Sequence, residues 1–155
     1  MAIDYLKPMK ELLRIGWIQY AIQKSPFNAA VSYTYANAIT GSYPDFSIDP
    51  SKMLISRGTL PSSANASANI VSRTIHFKWN VDSGSITDRA LLAVVNRSGF
   101  EAVFDIESAC RKDKMQSLII PAKCMGEEVD AYLGFVSENG KEVANSIYLG
   151  SITVI

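Results

Sequence analysis

Histidine occurs once in this sequence, at His76, and cysteine twice, at Cys110 and Cys124. A lone imidazole cannot hold a metal ion, because such sites take three or four nitrogen, sulfur or carboxylate donors. Any histidine-dependent catalysis would have to use His76, and no nucleophile stands near it in the sequence. Two cysteines are too few for a disulfide framework, and their spacing is not that of a zinc knuckle. An excess of either charge is also missing. Lys and Arg number 15, and so do Asp and Glu. No overall field therefore draws nucleic acid or an anionic membrane surface, and neither partner is expected. Divided after Arg57, the first part carries six basic and four acidic residues and the rest nine and eleven, too slight an asymmetry to name a partner. Long apolar runs are absent: the longest, "ALLAVV" from Ala90 to Val95, falls far short of the ~20 residues of a membrane span. The opening "MAIDYLKPMK" has no basic stretch leading into an apolar one, so no signal peptide is legible and the default localisation is cytoplasmic. There is no glycine-rich phosphate loop, HExxH, CxxC or GxSxG motif, and no cofactor is expected.

Apolar residues, by contrast, make up 48% of the 155 positions, enough for the core of one ordinary domain. The sequence reads as α+β, mainly β. A helical hairpin over 1–41 and a linker over 42–52 precede a seven-stranded antiparallel β-sandwich over 53–155, of immunoglobulin or fibronectin type III kind. In "KPMKELLRIGWIQYAIQK", Met9, Leu12, Leu13, Gly16, Trp17 and Tyr20 recur at helical spacing behind Pro8. Ile15, Ile18 and Ile22 form a second stripe roughly opposite, set off on one side by Lys10 and Arg14. The second helix is announced by Ser25 and Pro26, bears Phe27, Ala30, Val31, Thr34, Tyr35 and Ala38 on one face, and stops before Gly41.

Beyond the linker "SYPDFSIDP" the period drops to two. "KMLISRG" reads as a strand and "PSSANASAN" as a low-complexity loop. "RTIHFKW", "RALLAVVN", "FEAVFD" and "MQSLIIP" follow as strands, the second of them buried centrally. The last pair flanks Asn139-Gly140, the hairpin signal in which both central residues take positive φ. The predicted core holds Ile75, Phe77, Trp79, Leu92, Val94, Leu133 and Phe135.

Few side chains suggest chemistry. His76 falls on the polar face of its strand. Cys110 stands beside Arg111, Lys112 and Lys114, which would lower a thiol pKa. A strand separates it from Cys124, so no bridge between the two is expected. Asn65 and Asn96 match the glycosylation sequon, and Tyr33 and Tyr43 are candidates for stacking on sugar rings.

Several blocks together resemble an uncharacterised bacterial family known only as a domain of unknown function: "LKPMKELLRIGW", "PFNAAVSYTYANAITGSYP", "LISRGTL", "FKWN" and "VDAYLGFVSENGKEVANSIYLG". The resemblance implies no activity, cofactor or catalytic residue. It does imply a glycine-rich, basic segment upstream of "LKPM", and a tryptophan where this chain has Cys124.

The resulting expectation is a non-enzymatic interaction or structural module. Its contact surface would be Ile15, Ile18 and Ile22, and its partner another protein or a second copy meeting the N-terminal helices. The alternative is a carbohydrate-binding or adhesin-like domain using loop aromatics, and an enzyme built on Cys110 ranks third.

Overall fold

The computed structural model describes residues 2–63, 65–96, 98 and 101–155. Phe100 and Arg97, within the expected "FEAVFD" strand and the Asn96 sequon, lie outside them, as does Ala64. Helix α1 (Ala2–Leu6) leads through a 3-10 turn at Lys7–Met9, which accommodates Pro8, into α2 (Lys10–Gly16). Met9, Leu12, Leu13 and Trp17 are buried as their spacing predicts, and Tyr5 and Leu6 extend that face. The helix expected to continue to Lys24 stops at Gly16 instead. Its carbonyl there accepts the Arg57 N–H at 2.9 Å, and a Cβ on Gly16 would stand 2.1 Å from the Ile55 carbonyl oxygen. A crossing chain has taken the place of the next helical turn. Ile18–Tyr20 then forms a 3-10 turn.

Helix α3 (Pro26–Asn37) starts as read, with the Ser25 hydroxyl accepting the Asn28 N–H at 3.1 Å. It runs into a hairpin, β1 (Ile39–Ser42) and β2 (Asp45–Ile48), inside the stretch read partly as linker. Residues 41 to 47 of this hairpin are all exposed.

The strand expected at "KMLISRG" is not one. Extended chain from Met53 to Arg57 threads between α2 and the sheet, hydrogen-bonding without a ladder. Ile55 N–H donates to Ser146 Oγ, Ser56 Oγ to the Ala144 carbonyl and Arg57 N–H to Gly16. Gly16 on one side and Gly134 on the other make room for it, since a Cβ on Gly134 would lie 2.4 Å from Ser56 Oγ. The missing strand comes from the supposed loop: β3 (Ala66–Val71) alternates between inward Ala66, Ala68 and Ile70 and exposed Ser67, Asn69 and Val71.

The remaining strands are β4 (Thr74–Trp79), β5 (Arg89–Asn96), β6 (Glu101–Asp105), β7 (Met115–Ile119), β8 (Glu128–Val136) and β9 (Ile147–Thr153). They form antiparallel sheets ordered β3-β4-β7 and β6-β5-β8-β9. The protein is therefore mainly β, with nine described strands in three sheets once the β1-β2 hairpin is included. All seven predicted core residues are buried between the two larger sheets, together with Ala131, Leu118 and Ile120. The four-stranded sheet is covered on both faces. Its outer side, Leu91, Ala93, Val95, Tyr132 and Val136, meets the helical residues, which explains the unbroken apolar run of β5. Tyr132 closes that contact: its hydroxyl lies 3.0 Å from the Tyr5 hydroxyl and donates to the Pro50 carbonyl at 2.8 Å. Burial, and then Tyr5, push its phenol far above the usual value, so it remains a donor.

The Asn-Gly turn also departs from expectation. Gly140 has φ +75°, but Asn139 is not among the positive-φ residues. The loop is widened to Glu138–Lys141, closed by Ser137 N–H to the Glu142 carbonyl. Asn139 Oδ1 accepts from Ser137 Oγ and the Lys141 N–H, an arrangement a two-residue turn would not allow. The hairpin is part of the scaffold, and Val143 and Ala144 beyond the loop are buried.

Candidate contact surface

The termination of α2 at Gly16 decides what the next six residues present. Trp17 turns inward, donating its indole N–H to the Leu54 carbonyl at 3.2 Å and lying 5.3 Å from the Tyr33 ring. Gln19 also turns inward: its side-chain oxygen accepts the Thr59 and Val143 N–H groups, and its amide donates to Thr59 Oγ1. With alternate residues so anchored, Ile18, Tyr20 and Ile22 are left outward, at 42%, 38% and 73% exposure. The Arg57 guanidinium lies 4.4 Å from the Tyr20 ring centre and 4.9 Å from that of Tyr33, which stiffens the patch from beneath.

Of the three isoleucines predicted as a stripe, Ile18 and Ile22 are open to solvent while Ile15 is half-buried against the helical core. They do not share one helical face, because the helix ends between Ile15 and Ile18. Arg14 and Lys24, which flank this patch in the sequence, are exposed, and Arg57 is half-buried. Among the described residues none of these three cations forms an ion pair. The basic excess of the first 57 residues was too slight to mark this rim in the sequence.

The other candidates are placed differently. His76 Nδ1 lies 2.8 Å from Ser117 Oγ across the β4-β7 pair, half-buried on the outer face of its sheet. Cys110 is free and half-buried, opening the 3-10 turn Arg111–Asp113 and bridging to Arg89 at the start of β5. Of the three basic residues expected around its thiol, Arg111 is directed elsewhere. Arg111 points into the sandwich, fully buried, with Nε and Nη2 each 3.0 Å from Asp88 Oδ2 and its guanidinium carbon 4.0 Å from the centre of the Phe135 ring. Nothing in the sequence distinguished this arginine from its solvated neighbours. Among the described residues no group of three or more His, Cys, Asp or Glu could hold a metal ion, and no helix is long and apolar enough to cross a membrane.

Of the two tyrosines read as sugar-stacking candidates, Tyr33 is engaged by Trp17 and Arg57. Tyr43 is open, 87% exposed at the tip of the β1-β2 hairpin, with Phe46 6.5 Å away.

Cys124 is free and buried beside a cavity of about 100 Å³. Val94, Val103, Ile120 and Val129 also line it, and the Lys123–Glu101 ion pair, at 2.9 Å, stands at its edge. Filling such space recovers about 24 cal/mol per Å³ at best, and crowding offsets part of that. Cys124→Trp should therefore stabilise the fold by about 1 kcal/mol in urea melts. A lower midpoint would mean that the cavity cannot admit an indole.

Comparison with curated proteins gives no match. Among solved structures, the fn3 domain of human collagen alpha-1(XX) chain is similar at 10% identity, over 64% of this chain and 87% of that one, with a TM-score of 0.43. The model of a family of unknown function, DUF6266, matches residues 1–150. The chain belongs to that family.

Proposed function

We propose that this protein is a non-enzymatic contact module: a sandwich of immunoglobulin type whose N-terminal cap docks an apolar, acidic segment of another protein. The observation that carries this reading is the exposure of Ile18 and Ile22 beside Arg14, Lys24 and Arg57, none of them ion-paired among the described residues. Apolar side chains rimmed by cations that lack an ion-pair partner among the described residues suit leucines or phenylalanines flanked by carboxylates. The same cations disfavour a symmetric contact between two copies, which would bring like charges together. Three on four antiparallel strands around Trp79 support the immunoglobulin-type scaffold.

Peptide display against the whole chain tests the reading. Enriched peptides should combine Leu or Phe with Asp or Glu, and their binding should weaken with salt. Ile22→Lys and Ile18→Lys should each weaken it about thirtyfold, the size of one hot-spot residue, while Tyr43→Ala leaves it unchanged. Peptides without acidic residues, or binding that survives both lysines, would overturn it. So would light scattering that shows the parent dimerising and Ile18→Lys monomeric, because the occupant would then be a second copy.

A carbohydrate-binding reading has one specific observation in its favour, the open Tyr43–Phe46 pair at the hairpin tip. A cysteine-dependent enzyme has less support, since Arg111 turns away from Cys110 and the His76 ring is engaged by Ser117 on β7.

A further inference from the structure

A groove of about 530 Å³ runs over one end of the β3-β4-β7 sheet, remote in sequence from the N-terminal cap. It is shallow and open to solvent, a surface that an extended ligand could lie across. Lys78 pairs in register with Ser67 on one side and Met115 on the other, which puts the three on the outer face together. Trp79 N–H donates to the Lys114 carbonyl at 2.9 Å and Asn80 N–H to the Asn65 carbonyl at 3.2 Å, which draws Lys114, Asn65 and Asn80 to the same end.

The chemistry of the lining is one-sided. It holds two lysines and no carboxylate, and among the described residues neither lysine has an ion-pair partner. Asn65, Asn80 and Ser67 supply both donors and acceptors, the match for a hydroxylated ligand. Met115, 54% exposed, offers an apolar surface on which a sugar ring can rest. Trp79 contributes no exposed ring, being buried, so nucleic-acid bases would have nothing to stack on.

Lys114 adds an independent observation. Its φ is +63°, a region that residues with a Cβ rarely adopt. Its structural duties there, N–H to the Arg111 carbonyl and carbonyl to Trp79 N–H, belong to the backbone, and glycine would perform them with less strain. Gln23, Ser72 and Arg73 share this backbone region, but of the four Lys114 is the one that lines the groove.

We infer that this groove binds an acidic saccharide, with Lys78 and Lys114 receiving its carboxylate or sulfate and Asn65, Asn80 and Ser67 its hydroxyls. Isothermal titration of the whole chain should detect a uronate oligomer or a sulfated oligosaccharide, and the stronger of the two identifies the acidic group. A neutral glucan and single-stranded DNA should bind at least tenfold more weakly. Lys114→Gly should raise the urea midpoint and yet weaken saccharide binding at least fivefold, a combination that a purely structural lysine would not produce. Lys78→Gln should weaken binding similarly, and Ile18→Lys should not affect it, so this inference and the cap proposal fail separately. Equal binding of the neutral glucan or the DNA, no binding of either acidic saccharide, or undiminished binding by Lys114→Gly would overturn it.

Discussion

Trp79→Ala should cost about 3–5 kcal/mol of stability, the range for a buried aromatic cut to a methyl. The indole is 2% exposed between the two sheets, edge-on to Phe135 at 5.8 Å, and its N–H donates to the Arg111 carbonyl at 2.8 Å. The substitution opens a cavity in the inter-sheet core, which is the main cost, since the Arg111 carbonyl keeps the Lys114 N–H as a donor. Urea denaturation should show a lower midpoint with an unchanged slope. A loss below about 1 kcal/mol would mean that the sheets close over the gap, contrary to a core built around this ring.

Arg111→Ala is expected to cost a similar amount, about 3–5 kcal/mol, by another route. Asp88 is 2% exposed and takes two donors from this guanidinium, while Arg111 Nη2 also donates to the Pro61 carbonyl at 2.9 Å. Removing the arginine leaves a buried carboxylate without its cation, and removes the plane that covers Phe135. Arg111 Nη1 has no hydrogen-bond partner, so the pair is incompletely satisfied. An apolar replacement of both partners should therefore be far less harmful. Arg111→Met combined with Asp88→Leu should recover most of the stability that Arg111→Ala loses, again read in urea. If the double variant is as unstable as the single one, the damage comes from lost shape and not from the stranded charge.

What the sequence disclosed follows from where apolar periodicity is strong. Ile75, Phe77 and Trp79 alternate with Thr74, His76 and Lys78, so both the strand and its buried face were legible. The strand β3 was not, because Ala66 and Ala68 bury too little surface to mark a period against Ser67 and Asn69. "KMLISRG" erred the other way. Met53 and Ile55 are buried as a strand's would be, but their backbone bonds go to Gly16 and to the 144–146 segment, and no local pattern encodes that. The candidate cap shows the same division. Ile18 and Ile22 could be singled out by their spacing, while their separation from Ile15 depends on a chain that crosses at Gly16 from Arg57, 41 residues further on. Arg111 was illegible as a core residue because its partner Asp88 lies 23 positions upstream in another loop.

If, as we propose, the exposed Ile18, Tyr20 and Ile22 form a docking face, a bound peptide must perturb them first. Backbone amide shifts of the labelled chain, followed by NMR during titration with an acidic, apolar peptide obtained by display, map that contact directly. The largest changes should fall on 18–24 and Arg57, and they should diminish at high salt. Changes concentrated at Tyr43 and Phe46, or on the outer face of the β3-β4-β7 sheet with the cap unmoved, would contradict it.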